Sequence, residues 1–95
     1  MLSLNVTLEE MRLMLRIKHT AIDEELETLK ASFLTDLDMC GVKHIPDGDP
    51  LAKSCLRMYL RWMEDYNNDS DRYKDAYNGL KIAMSLAEEY REVSP

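Results

Sequence analysis

Asp49-Pro-Leu-Ala-Lys-Ser-Cys-Leu-Arg-Met-Tyr-Leu-Arg-Trp-Met-Glu-Asp-Tyr66 and Asp71-Arg-Tyr-Lys-Asp-Ala-Tyr-Asn-Gly-Leu-Lys-Ile-Ala-Met-Ser-Leu-Ala-Glu-Glu-Tyr90 decide how this chain folds. Each stretch is read as one helix. The link between them, Asn67-Asn68-Asp69-Ser70, is short, which makes the two helices antiparallel neighbours. Asp49 suits the N-cap of the first, where its carboxylate can accept from free backbone N–H groups. Pro50 suits the first helical position, where no N–H is needed.

The apolar pattern of the pair goes further. At 3.6 residues per turn, Leu51, Cys55, Met58, Tyr59, Trp62 and Tyr66 share one side of the first helix. Leu56, Leu60 and Met63 widen that side by roughly another quarter turn. The second helix has a narrower stripe of Tyr73, Ala76, Tyr77, Leu80, Ala83, Met84, Ala87 and Tyr90, with Ile82 and Leu86 off it. So much apolar surface on a small domain calls for a partner, and self-association is the expectation. The alternative is a core wrapped from two sides by the chain's other helices. Leu56, Leu60, Met63, Ile82 and Leu86 are the candidate interface residues. Trp62 is expected to be substantially buried, with Tyr77, Leu80 and Met84 as neighbours.

Working back toward the N-terminus, Leu2 to Val6 is a short lead-in. Thr7-Leu-Glu-Glu10 has the form of a capping box. The helix it opens packs Leu8, Met11 and Leu15 inward and stops near Lys18-His19-Thr20. A longer helix follows, with Ile22, Leu26, Leu29, Phe33, Leu37 and Cys40 in one stripe. Acidic residues crowd its first turns, where the helix dipole favours them. Gly41 stands at the expected left-handed C-terminal position. Val42 to Asp49 is the longest loop, with Asp47-Gly48 as its turn signal. The expected fold is a single all-α domain of four main helices, Leu8–Ile17, Ala21–Met39, Leu51–Tyr66 and Asp71–Arg91, without a sheet.

Composition agrees. The 95 residues suffice for one modest core, and 32% charged residues with few Gly and Pro suit a helical globular protein. The net charge of −6 argues against nonspecific gripping of a nucleic-acid backbone. No run of 18 apolar residues is present, and the start lacks the pattern of a signal peptide. Synthesis in the cytoplasm, with reduced thiols, is the expectation.

Reactive constellations are weak. His19 and His44 have no informative partner and suit an ordinary surface role. Cys40-x3-His44 with Cys55 supplies three potential zinc ligands where a structural site takes four. Asp47-Gly-Asp49 lacks the spaced oxygens and closing Glu of a calcium loop. No phosphate-binding Gly-rich loop is found. The tyrosines and Trp62 fall at helical spacing on apolar faces, which suits a core better than a base-stacking platform. No catalytic residue, metal or cofactor is expected.

Taken together, the motifs resemble a family. Thr7-Leu-Glu-Glu-Met-Arg-Leu-Met-Leu-Arg-Ile17 followed by an acidic helix is similar to the start of small head–tail connector proteins of tailed bacteriophages and prophages, also called head-completion or DNA-packaging adaptors. The stronger likeness is in order and spacing: Asp49-Pro-Leu-Ala-Lys, Tyr59 to Tyr66-Asn67, Asp71-Arg-Tyr-Lys-Asp-Ala-Tyr77, Leu80-Lys, and Met84-Ser-Leu86. Two departures stand out, Lys18 where such connectors often have Asp, and Glu88-Glu89 where many have Gly-Asp. The resemblance implies a helical subunit that forms a homo-oligomeric ring under the portal protein in the virion. That ring continues the DNA channel and joins the filled head to the next connector or tail protein. DNA would pass without specific binding, and assembly would occur in the host cytoplasm.

Two other classes compete. A small helical DNA- or protein-binding regulator would have to use Lys53, Arg57 and Arg61, which Glu64 and Asp65 follow. A hydrolase built on His44, Asp47 and Asp49 rests on residue types alone.

Overall fold

The computed structural model describes residues 2–91. Four helices form: α1 (Leu8–Met14), α2 (Asp23–Met39), α3 (Pro50–Met63) and α4 (Ser70–Leu86). Short 3-10 turns, Tyr66–Asn68 and Glu88–Tyr90, follow α3 and α4. No strand occurs among the described residues. The all-α, four-helix expectation therefore holds, and the differences lie at helix ends and in which faces are covered.

The caps show why the helices start where they do. Thr7 Oγ1 accepts from the Glu10 N–H at 3.1 Å. The Glu10 carboxylate does not complete the box and instead pairs with Lys53 on α3 at 3.4 Å. Asp49 Oδ2 accepts from the Ala52 N–H at 3.0 Å, with Pro50 opening α3 as expected. α2 begins at Asp23 rather than Ala21, and both oxygens of that carboxylate bond the Arg12 guanidinium, at 2.8 and 2.6 Å. This bidentate pair ties α1 to the first turn of α2.

Three helices end on a left-handed residue. After α2, Gly41 has φ +103°, the Val42 N–H reaches Leu37 O, and the Gly41 N–H reaches Asp38 O. That is the Schellman closure, with Val42 fully buried as its apolar seal. α1 ends at Met14, earlier than the expected Ile17, by the same pattern: Ile17 N–H to Arg12 O and Arg16 N–H to Leu13 O. Here the left-handed residue is Arg16, at φ +57°. α3 stops at Met63 rather than Tyr66, because Asp65 adopts φ +48°.

The core centres on rings. Phe33 of α2, fully buried, lies 5.8 Å from Tyr59 and 6.2 Å from Tyr77 between ring centroids. Tyr59 and Tyr77 are 5.0 Å apart. Along the α3–α4 seam Tyr66 meets Tyr73 and Trp62 meets Tyr77, so residue numbers fall on one helix as they rise on the other. Trp62 is largely buried against Tyr77, though less deeply than the core rings. It forms the rim of this cluster, with Lys74 Nζ 6.0 Å above its ring.

The main correction concerns α3. Leu56 and Leu60, expected at an interface, are fully buried in the chain's own core. The reason lies in the N-terminal elements. α1 packs on this side of α3, as the Glu10–Lys53 pair and the Arg61 Nε bond to Met14 O at 2.9 Å record. Ahead of α1, the lead-in is an extended arm: Leu2, Leu4 and Val6 are buried while Ser3, Asn5 and Thr7 are exposed. Lys30 Nζ of α2 holds the arm through Val6 O at 3.1 Å. The buried arc of α3 is thus covered by α1 on one side and by α2 and α4 on the other, and no partner is needed for Leu56 or Leu60.

The segment after α4 is latched. α4 stops at Leu86 rather than Arg91, and Ala87 turns extended. The chain then folds back and Tyr90 enters the core, 2% exposed. Its hydroxyl donates to Asp49 Oδ2 at 2.7 Å, and its carbonyl accepts from the N–H groups of Lys43 and His44. One tyrosine thereby fastens the α2–α3 loop to the start of α3.

Candidate functional site

The polar groups inside the molecule are committed to structure. The Cys55 thiol is buried, and desolvation pushes it up to about 12, so it is unreactive near neutrality. Asp49 is taken by the α3 N-cap and Tyr90. His19 and His44 are exposed, and His19 Nδ1 accepts from the Ala21 N–H at 3.3 Å. Among the described residues, no three His, Cys, Asp or Glu side chains converge so as to hold a metal ion. What the fold offers outward is surface.

The first surface is the outer face of α4. Tyr73, Tyr77 and Met84 are buried on the side facing the rest of the chain. Helical spacing puts Asp71, Asp75, Ile82 and Leu86 on the opposite side, and all four are exposed. Ile82 is 54% and Leu86 69% exposed, so these two interface candidates are where an interface could reach them. Ala83, expected in the buried stripe, is exposed beside them. Gly79, also exposed, leaves open space where a side chain would stand. Asp71, Asp75, Glu88 and Glu89 have no ion-pair partner among the described residues. This face is apolar at its centre and chiefly acidic around it, with Arg72 at its edge paired to Asp69 at 3.4 Å. Met63, the remaining candidate, is 39% exposed at the end of α3.

The second surface lies across the molecule, where α1 meets α3. Glu10, Leu13, Met14, Arg16, Arg57 and Arg61 line an open groove. Arg61 is held inward by its bond to Met14 O and by the Tyr66 ring, 4.5 Å from its guanidinium carbon. Arg16 and Arg57 are exposed and unpaired among the described residues. Leu13 beside them is 68% exposed. Sequence reasoning missed Leu13 and Arg16. The signal was that only Leu8, Met11 and Leu15 were needed to face α1 inward, which left Leu13 without a place. Met39, 81% exposed at the end of α2, was missed as well.

One carboxyl at the edge of the bundle is perturbed. Glu64 caps the C-terminal end of α3 and meets Glu25 from the first turn of α2. A hydrogen bond with Glu25, then burial, then charge repulsion push Glu64 up to about 7. Its Oε1 is buried with no hydrogen-bond partner among the described residues. The folded value lies above the ordinary 4.5, so the stabilising contribution is complete below about 4.5 and is lost as pH rises through about 7. The melting temperature of the wild type should therefore fall between about pH 4.5 and 7, measured by circular dichroism. Glu64→Gln should flatten that segment of the profile, and an unchanged slope would show that the two carboxyls do not share a proton.

No helix is long and apolar enough to cross a membrane among the described residues. Compared with known protein families, with characterised proteins and with solved structures, the chain matches none.

Proposed function

We propose that this chain is a head–tail connector subunit of a tailed bacteriophage or prophage. As a connector it forms a ring under the portal, continues the DNA channel and joins the filled head to the tail, with no enzymatic step of its own. The observation that carries this reading is the outer face of α4. An apolar pair, Ile82 and Leu86, is left uncovered on a helix whose other side is fully packed. Uncovered apolar surface is where an assembly subunit would meet its neighbour. The net charge of −6 supports the channel role, because a lumen of like charge repels phosphate and lets DNA slide.

The test is docking onto portal-bearing heads of the encoding phage or prophage, read by sedimentation. With Ile82 and Leu86 both replaced by Glu, the free subunit should melt within a few degrees of wild type, since exposed positions tolerate change within about 0.5 kcal/mol. Docking should fail, because an unpaired charge is costly to bury. A double variant that docks like wild type removes this face from the junction.

The groove holding Arg16 and Arg57 favours one further reading, a small helical regulator that binds DNA or a protein. Retarded duplex DNA at low salt in a gel-shift assay, abolished by Arg57→Glu, would support it over the connector.

A further inference from the structure

We infer that the groove between α1 and α3 of one copy receives the outer face of α4 of the next copy, a head-to-tail contact between unlike surfaces. This assignment rests on the ring-forming proposal above and specifies which two faces meet. Three observations carry it.

The charges match. The groove presents Arg16 and Arg57, both exposed and unpaired among the described residues, in a chain that is otherwise acidic. The α4 face presents Asp75 and, just past the helix, Glu89, likewise exposed and unpaired. Each surface repels a second copy of itself and attracts the other, which disfavours a two-fold dimer and favours a head-to-tail one.

The apolar parts match too. Leu13 stands among the arginines, 68% exposed, and Ile82 and Leu86 stand among the acids. Gly79 lies inside α4, where it weakens the helix relative to Ala, and nothing in the chain fills the space it leaves. A neighbour can therefore approach the α4 backbone closely. Arg16 also occupies a left-handed position that Gly would take at less cost. A charged side chain held there at the expense of backbone strain is consistent with a role outside the monomer.

Finally, the faces are placed for propagation. α1 packs on α2 and α3, while α4 packs chiefly on α3 with its outer face turned away from it. The two surfaces thus lie on different sides of the subunit, and one copy can use both at once. Contacts of this kind build rings when the rotation closes.

The test uses three charge-reversed chains in low-salt sedimentation equilibrium. The groove variant is Arg16→Glu with Arg57→Glu, the face variant is Asp75→Lys with Glu89→Lys, and the third carries all four changes. The wild type should exceed its subunit mass of 11.1 kDa as concentration rises, and should fall back when salt screens the contact. Each double variant alone should associate about tenfold more weakly or not at all. Mixed together, the two double variants present one copy acidic on both surfaces and one basic on both, so they complement each other at both contacts and should regain association as alternating copies. The fourfold variant restores opposite charges with signs exchanged and should regain association. A wild type that stays monomeric at every concentration, double variants that associate like wild type, or a mixture that stays monomeric would overturn the assignment. Docking on portal-bearing heads separates the two proposals. Heads that bind wild type and the groove variant equally reject this contact and leave the connector role standing. A wild type that associates head-to-tail in solution yet ignores the heads rejects the connector role and leaves the contact standing.

Discussion

Phe33→Ala is expected to lower the free energy of unfolding by about 3–5 kcal/mol, a large part of what a domain of this size has. Phe33 is fully buried and supplies the ring from α2 that touches both Tyr59 of α3 and Tyr77 of α4. Truncating it removes the aromatic contact of α2 with both partners and leaves a cavity lined by two tyrosines. Those rings are pinned, Tyr77 by its bond to Asp36 and Tyr59 by its place in α3, so collapse into the space is limited. Trp62→Ala is the control. Trp62 touches the same two tyrosines from the rim and is less deeply buried, so its loss should cost clearly less than that of Phe33. Urea unfolding with an unchanged slope reads both values. If Trp62 proves the costlier of the two, the core centres on the α3–α4 seam rather than on α2.

That ranking shows what periodicity can and cannot reveal. Spacing placed Phe33, Leu26 and Leu37 on one buried stripe, and all three are fully buried. Local chemistry placed Asp49, Pro50, Thr7 and Gly41, because caps depend on neighbours within a few residues. The true centre of the α3 face was not legible. Leu51 and Trp62 share a stripe with Cys55 and Tyr59, yet they are less buried than Leu56 and Leu60. Which part of a wide apolar arc is deepest depends on what covers it, and on this side of α3 the cover is α1. The Leu2–Val6 arm did carry a signal. Leu2-Ser-Leu-Asn-Val-Thr7 alternates apolar and polar residues, the period of an extended segment with one side buried. The Arg16 turn was invisible for another reason: left-handed closure of a helix is normally announced by Gly or Asn. Of the interface candidates, Ile82 and Leu86 were legible as residues off the packed stripe of α4. The groove facing them was not, since it forms only when α1 lies across α3.

Contacts between residues distant in the chain are the least legible, and one of them underlies the second large effect. Asp36→Ala should destabilise the fold by about 1–2 kcal/mol. Asp36 Oδ2 accepts from the Tyr77 hydroxyl at 2.5 Å and from Lys81 Nζ at 3.0 Å, joining α2 to α4. The Tyr77 side chain is 1% exposed, so without Asp36 its hydroxyl faces the core's edge with no partner among the described residues. The Asp36 carboxylate itself is 40% exposed, which holds the cost below that of a fully buried ion pair. Tyr77→Phe removes the donor and the need for a partner together, so it should cost less than Asp36→Ala. The double variant should cost less than the sum of the two, as expected for groups in direct contact. The pH dependence follows from the same bonds. Burial raises the Asp36 carboxyl, but the bonds from Tyr77 and Lys81 outweigh it and hold the group below its ordinary 3.8. A lowered folded value means that this stabilisation is present above the ordinary carboxylate range and is lost as pH falls through the folded value. The sign is opposite to that at Glu64, whose contribution fades as pH rises through about 7. Stability should therefore be greatest at mildly acidic pH, between the two limbs. Asp36→Asn should flatten the acid limb only, and Glu64→Gln the alkaline limb only. A cost below about 0.5 kcal/mol for Asp36→Ala would mean that water already satisfies the Tyr77 hydroxyl, and that α2 is held to α4 by its apolar stripe alone.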